Sequence, residues 1–380
     1  MTNRTGPDRA PMRLFDTAAQ GIVPFVPGHL VTLYTCGITP YDAAHLGHAT
    51  TYLAFDVLQR RLRDRGHETR CVRNVTDVDD DILRKARQLG VHFLDLAAEE
   101  MGRFDADMGA LGLLQPYSEP RATSAIPEIL TLVDALLSSG HAYRAGGAVY
   151  FRAASSPAFG RISHLGRPEM LALAAERGGN PDDPNKADQL DFVLWQPSAP
   201  GEPVWETRWG PGRPGWHIEC SALAMRELGP TIDLHGGGDD LIFPHHECEA
   251  VQSEAASGVT FVRHWMHVGM VRLAGVKMSK SLGNLVFVSD LLKDWEAPAI
   301  RLAILDHHYR ASWDWDDTLM PAAAERLVRW DLARPGSGGL TEARARLDYD
   351  LDVPGALAAI DAAAGRGEGV TTTAALLGIS

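Results

Sequence analysis

Alternating strands and helices place this chain in the α/β class, with a parallel sheet. Residues 29–36 (HLVTLYTC) form a short apolar run typical of a buried strand, and the segment from Gly47 carries leucine and valine at helical spacing. A second unit follows, extended over 70–75 and helical over 79–89, where the acidic start suits a helix N-terminus. Strand, helix and strand in this order predict parallel pairing.

The same pattern resumes far along the chain. Residues 231–234 predict a strand leading into the glycine triplet 236–238, and a helix over about 245–256 and a strand near 265–271 follow. The intervening residues hold helical stretches, notably 126–137, an extended pair around 141–152 and a Pro/Gly/Asp-rich segment near 178–184. We interpret them as an insertion between two halves of one fold. The predicted parts are a lead-in at 1–28, a split catalytic domain at 29–90 and 206–285, an inserted connective region at 91–205, and a C-terminal helical domain at 286–380.

Composition indicates a globular protein rather than a membrane protein. The chain has 380 residues, 45% of them hydrophobic, yet no uninterrupted apolar run reaches the roughly 18 residues that a membrane-spanning helix needs. The polar N-terminus lacks the pattern of a signal peptide. We therefore expect a cytoplasmic protein, a monomer, with no membrane partner.

Cysteine content and charge narrow the function further. Four cysteines in 380 residues are too sparse for a disulfide scaffold, so metal binding or catalysis is the better interpretation of any that matter. The net charge is −13, and no dense Lys/Arg block is present. The basic surface expected of a nucleic-acid-binding protein is therefore missing from the sequence.

Two short motifs suit nucleotide phosphates. In HLGH, Gly47 lets a nucleotide approach the backbone, and His45 and His48 can donate hydrogen bonds to an α-phosphate at a helix N-terminus. In KMSKS, Lys277 and Lys280 can follow departing pyrophosphate as point charges on a mobile loop. Alone, either motif could be an ordinary turn or a solvated lysine loop. Together, in this order and at this separation, they are far more specific.

The two motifs resemble the HIGH and KMSKS signatures of class I aminoacyl-tRNA synthetases. Further strings are similar to the cysteinyl-tRNA synthetase branch: TCGITPYDAAHLGHATTYLAFDVL, RNVTDVDDDIL, PGRPGWHIECSA, HGGGDDLIFPHHE and KMSKSLGN. The resemblance implies a Rossmann-like class I catalytic fold that uses ATP with Mg²⁺ to form an aminoacyl adenylate. By matching position it places Ser279, Asp240 and the glycines Gly236, Gly237 and Gly238 at the ATP.

The resemblance also implies a zinc site that binds the substrate thiol. The matching positions are Cys36, Cys220, His245 and Glu249, which offer donor types that suit zinc. His245 and Glu249 are four residues apart, so on one helix they face the same side. Zinc binds soft sulfur tightly, which would separate cysteine from serine without an editing site. The alternatives are buried core cysteines and a capping histidine.

Three further positions match residues that close around the cysteine substrate in the family. They are Thr39, Thr76 and Trp216. Each has an alternative interpretation, because Thr76 could cap the acidic helix and Trp216 could belong to the core.

The acceptor of the activated cysteine is predicted from the C-terminus and from a closer resemblance. The 99 residues after Ser281 (380 minus 281) are fewer than a tRNA synthetase of this branch needs, so we do not expect tRNA as a partner. The strings RLFDTAAQGIVPFVPG, AAERGGNPDDPNKADQLDFVLWQPSAPGEPVW and HHYRASWDW are similar to the mycothiol ligase family. That family joins cysteine to the amine of glucosaminyl-inositol.

One local departure keeps alternatives open. Glu249 and Gln252 are closer to the tRNA-synthetase pattern, in which Glu249 would complete the zinc ligands. The leading hypothesis is an ATP-dependent, AMP-forming ligase with the substrates L-cysteine and the amine of 1-D-myo-inosityl 2-amino-2-deoxy-alpha-D-glucopyranoside. The alternatives are a paralogue that acts on another small amine, a truncated cysteinyl-tRNA synthetase, and a non-catalytic binding module.

Overall fold

A computed structural model describes residues 11–41, 43–278, 282–332 and 335–379, so Ser279 and Lys280 lie outside the described residues. The strands are β1 Met12–Asp16, β2 Gly21–Phe25, β3 Leu30–Ile38, β4 Glu68–Val75, β5 Ala142–Ala145, β6 Ala148–Phe151, β7 Phe192–Gln196, β8 Arg213–Pro214, β9 Leu234–Gly238, β10 Trp265–Val268, β11 Val271–Leu273, β12 Val276–Lys277 and β13 Trp313–Trp315. The helices are α1 Leu46–Asp64, α2 Asp80–Leu89, α3 Phe93–Ala110, α4 Ile126–Ser138, α5 Arg167–Glu176, α6 Trp216–Leu228, α7 Glu247–Ser257, α8 Val288–Asp294, α9 Ala297–Leu305, α10 Leu319–Asp331, α11 Leu340–Leu347, α12 Val353–Gly365 and α13 Thr371–Leu376.

The centre of the molecule is a parallel sheet with the strand order β10-β9-β3-β4. Its strands come from the two separate segments that the sequence predicted, which confirms the α/β class. From β3 the chain continues to β4, at one end of this strand order. From β9 it continues to β10, at the opposite end. Ligands of open α/β sheets bind at the carboxyl ends of the strands where the order reverses in this way. Here that point lies between β3 and β9.

The glycine triplet lies inside a strand, whereas the sequence predicted a strand that ends before it. Strand β9 begins at Leu234 and runs through the triplet, and Gly236 pairs with Thr35 on one side and Met266 on the other. A Cβ atom at Gly236 would lie 1.7 Å from the Met266 carbonyl oxygen. Glycine is needed because the neighbouring backbone occupies the space of a side chain, and strand propensity does not reveal such a contact.

Replacing Gly236 by alanine should therefore destabilise the fold by about 3 kcal/mol or more, since backbone cannot move aside as a side chain can. Gly238→Ala is the matched control, because a Cβ atom there meets the tip of the Asp240 side chain at 2.6 Å. We expect the control to cost less than about 1 kcal/mol, within the range of an accommodated substitution. Urea unfolding measures both, and equal losses would contradict the role of the strand contact.

A second, antiparallel sheet lies between β4 and β9, in the order β5-β6-β7-β8. Its last strand, β8, lies beyond residue 205, so this sheet extends past the predicted end of the connective insertion. The predicted extended pair is the β5–β6 hairpin, and the predicted helix at 126–137 is α4. Helix α4 packs on α6 and α7, and its buried face includes Ile129, Val133 and Leu136. The insertion thus shares a core with the helices that carry Cys220 and Glu249.

In the described residues from 286 onward, the chain is helical except for β13, which pairs in parallel with β11. A three-residue strand is too short to show a period, so the sequence predicted helices alone. Two buried arginines tie α1 to this part. Arg301 pairs with Asp56 and donates to the Leu377 carbonyl at 2.7 Å, and Arg61 pairs with Asp348 at 2.7 Å. No described helix is both long and apolar enough to cross a bilayer.

Candidate active site

Cys36 lies in a β-bulge at the point where the strand order reverses. The β3–β4 register shifts between Thr35 and Ile38, and the bulge contains Cys36 and Gly37. Bulges bend a strand and redirect its side chains. A Cβ atom at Gly37 would lie 1.4 Å from the Asn74 carbonyl oxygen, so only glycine fits beside β4. The bulge therefore sets the direction of the Cys36 thiol.

The structure brings Cys36 together with the other three predicted metal ligands. Cys220 comes from α6, His245 precedes α7, and Glu249 lies in its first turn. One donor atom from each residue lies within 4.8 Å of all the others. The Glu249 Oε1 atom is 2.9 Å from His245 Nε2 and 3.5 Å from Cys36 Sγ. Two thiols, an imidazole and a carboxylate at this spacing form a donor set that fits zinc.

Of the four donor residues, called the cluster below, three favour charged forms. The hydrogen bond from Cys36 and the positive charge of His245 lower the pKa of Cys220 to about 6, against the effect of burial. Burial would raise the pKa of Glu249, but His245 and His235 outweigh it and lower that pKa to about 2. Burial lowers and the two anions raise the pKa of His245, to about 10. A thiolate and a carboxylate, the forms that bind cations, are therefore favoured here.

A histidine that sequence reasoning missed contacts the same cluster. His235 is the second residue of β9, is fully buried, and lies 3.1 Å from Glu249 Oε2 through its Nε2 atom. A second group of donor atoms within 4.8 Å of one another overlaps the first and consists of Cys36, His235, His246 and Glu249. The two groups share a thiol and a carboxylate, so Glu249 lies between them. The only sequence signal was the position of His235 directly before the glycine triplet.

Two more histidines continue from Cys36 in a chain of buried hydrogen bonds. His246 Nε2 lies 3.2 Å from Cys36 Sγ, and its Nδ1 lies 2.7 Å from His267 Nε2. His267 Nδ1 in turn lies 2.7 Å from Thr17 Oγ1. Burial lowers the pKa of His246 well below its usual value and that of His267 to about 3. These neutral rings fix one another's orientation and hold the Cys36 side of the cluster.

Of the three residues predicted to close around the cysteine substrate, the structure places Trp216 against the cluster. The partly exposed Trp216 ring stacks on His245 with 4.1 Å between ring centroids, so it covers the cluster rather than filling a core. Thr39 follows β3 and Thr76 follows β4. The alternative in which Thr76 caps α2 is wrong, because Asp79 is the N-cap and accepts from two backbone N–H groups.

The HLGH motif lies at the start of α1, as predicted. His45 is the N-cap and its Nδ1 accepts from the Gly47 N–H at 3.1 Å, which places the proton of a neutral ring on Nε2. The His45 and His48 rings are stacked 3.9 Å apart. A Cβ atom at Gly47 would lie 2.8 Å from the His45 ring, so glycine is required for this cap. The arrangement gives a helix N-terminus with an imidazole donor.

The second phosphate motif is joined to the first through the segment that follows it. Leu46 N–H donates to the Val286 carbonyl at 2.9 Å, and His45 pairs with Phe287 in an isolated bridge. On the other side, Lys277 Nζ lies 3.1 Å from Asp240 Oδ2. Lys277 and Asp240, which the sequence predicted to bind the same nucleotide, are thus in direct contact. The second lysine of the motif, Lys280, and Ser279 lie outside the described residues.

The glycines of β9 lie against the metal cluster. A Cβ atom at Gly237 would be 3.7 Å from the Cys36 Cβ atom and 2.7 Å from the Leu241 side chain. The bare backbone of β9 therefore packs closely against both Leu241 and Cys36. The metal donors and the residues predicted to bind phosphate both lie at the carboxyl ends of the strands of the parallel sheet.

Comparison with known proteins defines the family. Residues 23–325 match the family described as tRNA synthetases class I (C) catalytic domain. The chain is 51% identical to the L-cysteine:1D-myo-inositol 2-amino-2-deoxy-alpha-D-glucopyranoside ligase of Parafrankia sp. (strain EAN1pec), over 92% of this chain and 81% of that protein. The chain belongs to this ligase family. The corresponding ligase of Streptosporangium roseum is 49% identical, over 94% of this chain and 89% of that protein.

Membership of the ligase family confirms the resemblance to the mycothiol ligases, which was closer than the resemblance to the cysteinyl-tRNA synthetases. Among solved structures, the Mycobacterium tuberculosis methionyl-tRNA synthetase in complex with methionyl-adenylate is similar in fold, with a TM-score of 0.67 at 18% identity. The match covers 88% of this chain and 82% of that one. This chain therefore has the class I synthetase fold, as predicted.

Proposed function

We propose that the protein activates L-cysteine with ATP and joins it to the amine of 1D-myo-inosityl 2-amino-2-deoxy-α-D-glucopyranoside, the step that ligases of this name carry out in mycothiol biosynthesis. The observation that carries the proposal is that a donor set suited to zinc and a histidine-capped helix both lie at the carboxyl ends of the strands of the parallel sheet. The identity of about 50% to ligases of that name supports the acceptor. A monomeric, cytoplasmic enzyme stays a prediction.

Cys36, Cys220 and His245 would hold a zinc ion, and Glu249 lies within reach as a further donor. When bound, zinc supplies a soft Lewis acid that prefers a thiolate to a hydroxyl and so selects cysteine over serine. Trp216 covers His245 and would exclude water from the substrate thiol. Selection at this position explains how a small pocket could reject an isosteric amino acid without a second, hydrolytic site.

The proposed reaction has two steps. A carboxylate oxygen of cysteine attacks the α-phosphorus of ATP, and pyrophosphate leaves with the electrons of the broken P–O bond. His45 and His48 would donate to the α-phosphate as its charge rises, while Lys277 and Lys280 would follow the pyrophosphate with Mg²⁺. The acceptor amine then attacks the acyl carbon, AMP leaves with the C–O electrons, and nitrogen loses a proton. The product is an amide.

The tRNA-synthetase-like residue Gln252 does not argue for an RNA acceptor. Its side chain is fully buried and donates to the His217 carbonyl and to Ser221 Oγ, each at 2.7 Å. Gln252 therefore joins α7 to α6 beneath the cluster, where no acceptor could contact it without unfolding the pair. Its identity reflects helix packing, so Gln252 carries no information about the acceptor, and Glu249 is the departure from the ligase pattern that remains.

Two assays test the proposal in sequence. Zinc-loaded protein should catalyse cysteine-dependent exchange of pyrophosphate into ATP, and should not do so with serine. With cysteine and ATP present, glucosaminyl-inositol should then stimulate AMP release, whereas glucosamine, inositol and tRNA serve as controls. Absence of exchange would contradict cysteine activation and favour a binding module. Stimulation by tRNA alone would assign the chain to the synthetases, and stimulation by another amine would change the acceptor only.

A further inference from the structure

Two threonines follow neighbouring strands of the parallel sheet at their carboxyl ends. Thr39 follows β3 and Thr76 follows β4, and the Thr76 N–H donates to the Ile38 carbonyl at 3.0 Å. Cys36, the cluster thiol, is on the same strand as Ile38, at the edge where open α/β sheets bind ligands. In cysteine, the ammonium nitrogen and the carboxyl carbon are each three bonds from sulfur. A cysteine with its thiol at the cluster would direct both groups along the end of the sheet where these two threonines lie.

The hydroxyl of Thr39 has its proton committed to a carboxylate. Thr39 Oγ1 donates to Asp79 Oδ2 at 2.8 Å, and Asp79 Oδ1 accepts from the Asp81 and Ile82 N–H groups, each at 2.9 Å. Burial raises the pKa of Asp79 to about 6, which leaves it ionised at neutral pH. An ionised carboxylate only accepts hydrogen bonds, and a hydroxyl has a single proton. Toward a ligand, Thr39 can therefore only accept.

The hydroxyl of Thr76 has the opposite polarity. The Gly37 N–H donates to Asn74 Oδ1 at 2.8 Å, and a backbone N–H can do nothing else, so the orientation of this amide is fixed. The Asn74 Nδ2 group then donates to Thr76 Oγ1 at 3.1 Å. Because this bond uses a lone pair of the hydroxyl, the proton of Thr76 remains available for a ligand. The two hydroxyls thus offer one acceptor and one donor.

We propose that Asp79 and Asn74 are positioning residues that set the polarity of the amino-acid pocket, so that Thr39 accepts from the α-ammonium of cysteine and Thr76 donates to its carboxyl group. The inference rests on the proposed function and adds a specificity to it. Discrimination acts at two ends of one small molecule, the sulfur at the metal cluster and the ammonium at Thr39. Neither Asp79 nor Asn74 contacts the substrate.

Asp79→Asn tests the proposal because asparagine is as good an N-cap as aspartate. Its Oδ1 atom can keep both backbone N–H groups, while its NH₂ group replaces the carboxylate oxygen that faces Thr39. Thr39 must then accept from residue 79 and point its proton at the ammonium. We expect the KM for cysteine in pyrophosphate exchange to rise about 10- to 100-fold, as for a lost hydrogen bond to a charged group.

Two thiols that each lack one group show whether the change is selective. Cysteamine keeps the ammonium and lacks the carboxyl, so its inhibition constant against cysteine should rise with the KM in Asp79→Asn. 3-Mercaptopropionate keeps the carboxyl and lacks the ammonium, so its constant should stay within about 2-fold. Asp81→Asn is the matched control, since it removes the same charge from an exposed carboxylate two residues away. It should leave all three constants unchanged.

The readouts separate polarity from general damage. Thermal unfolding of Asp79→Asn should match that of the original protein, because the cap is kept. An equal rise in all three constants, or an unchanged KM for cysteine, would overturn the proposal. Thr39→Val removes the accepting hydroxyl and should give the same selective loss, so it decides the question if Asp79→Asn does not fold. If the original protein shows no exchange, the proposed function fails, and calorimetric binding of the three thiols still tests the pocket.

Discussion

Cys36→Ala should lose zinc and cysteine activation together. The Cys36 thiol belongs to both groups of metal donors and also contacts His246, so its removal opens the cluster on two sides. We expect cysteine-dependent exchange to fall by more than about 100-fold, the upper value for loss of a residue that only supports a metal ligand. Metal analysis of the purified protein and the exchange assay measure the two effects on one sample.

Cys71→Ala is the matched control for this substitution. Cys71 is a buried free thiol on β4, the strand next to β3, and it belongs to neither group of donors. The control should keep its zinc and its exchange activity, with a small loss of stability. A Cys36→Ala protein that retained zinc and full exchange would refute the proposal that the substrate thiol binds at this metal.

His45→Ala should slow adenylate formation by about 100- to 1000-fold, the cost of removing one preorganised donor to a developing anion. The hydrogen bond from the Gly47 N–H holds the His45 ring with its proton on Nε2, so the donor is oriented before ATP binds. Zinc content and the KM for cysteine should stay near their original values, because the cluster is formed by other residues. Single-turnover formation of cysteinyl-AMP gives the rate.

His92→Ala separates the loss of a donor from the loss of a helix cap. His92 is the N-cap of α3 and accepts from the Leu94 N–H through the same ring nitrogen, at 3.3 Å, but it is exposed and outside the site. Both variants should lose about 1 kcal/mol of stability with their caps. Only His45→Ala should lose rate. Equal rates in the two variants would show that the His45 ring has no role in the chemistry.

Local patterns predicted the elements that carry the site. Strand β3, helix α1, strand β4 and helix α2 each have a clear period or an end signal, and all four lie where the sequence placed them, within a few residues. The start of β9 was wrong because the need for glycine at position 236 arises from Met266, which is distant in sequence. Contacts between residues that are distant in sequence cannot be predicted from a short stretch of the chain.

The sequence predicted part of the candidate site, because spacing and resemblance indicate which residues belong to it but not how their side chains are oriented. Spacing and resemblance indicated Cys36, Cys220 and His245, and the structure brings them together. His235 and His246 were missed because histidine is equally common as a cap, a surface residue or a ligand. Which way each ring points depends on the π turn at Ile242–His246 and on the pairing of β9, and neither is visible in one sequence.

The ion pairs of α1 bear on how the chain is made. Asp56 and Arg61 find their partners 245 and 287 residues later in the chain. At the roughly 5–20 residues per second of protein synthesis, the nascent chain carries Asp56 without Arg301 for about 12–50 s, and Arg60, four residues away on the same helix, is its partner at that stage. We expect the helix that begins beside His45 to remain hydrated at its far end during this time. The phosphate-binding end of α1 would then become rigid only after α9 has left the ribosome.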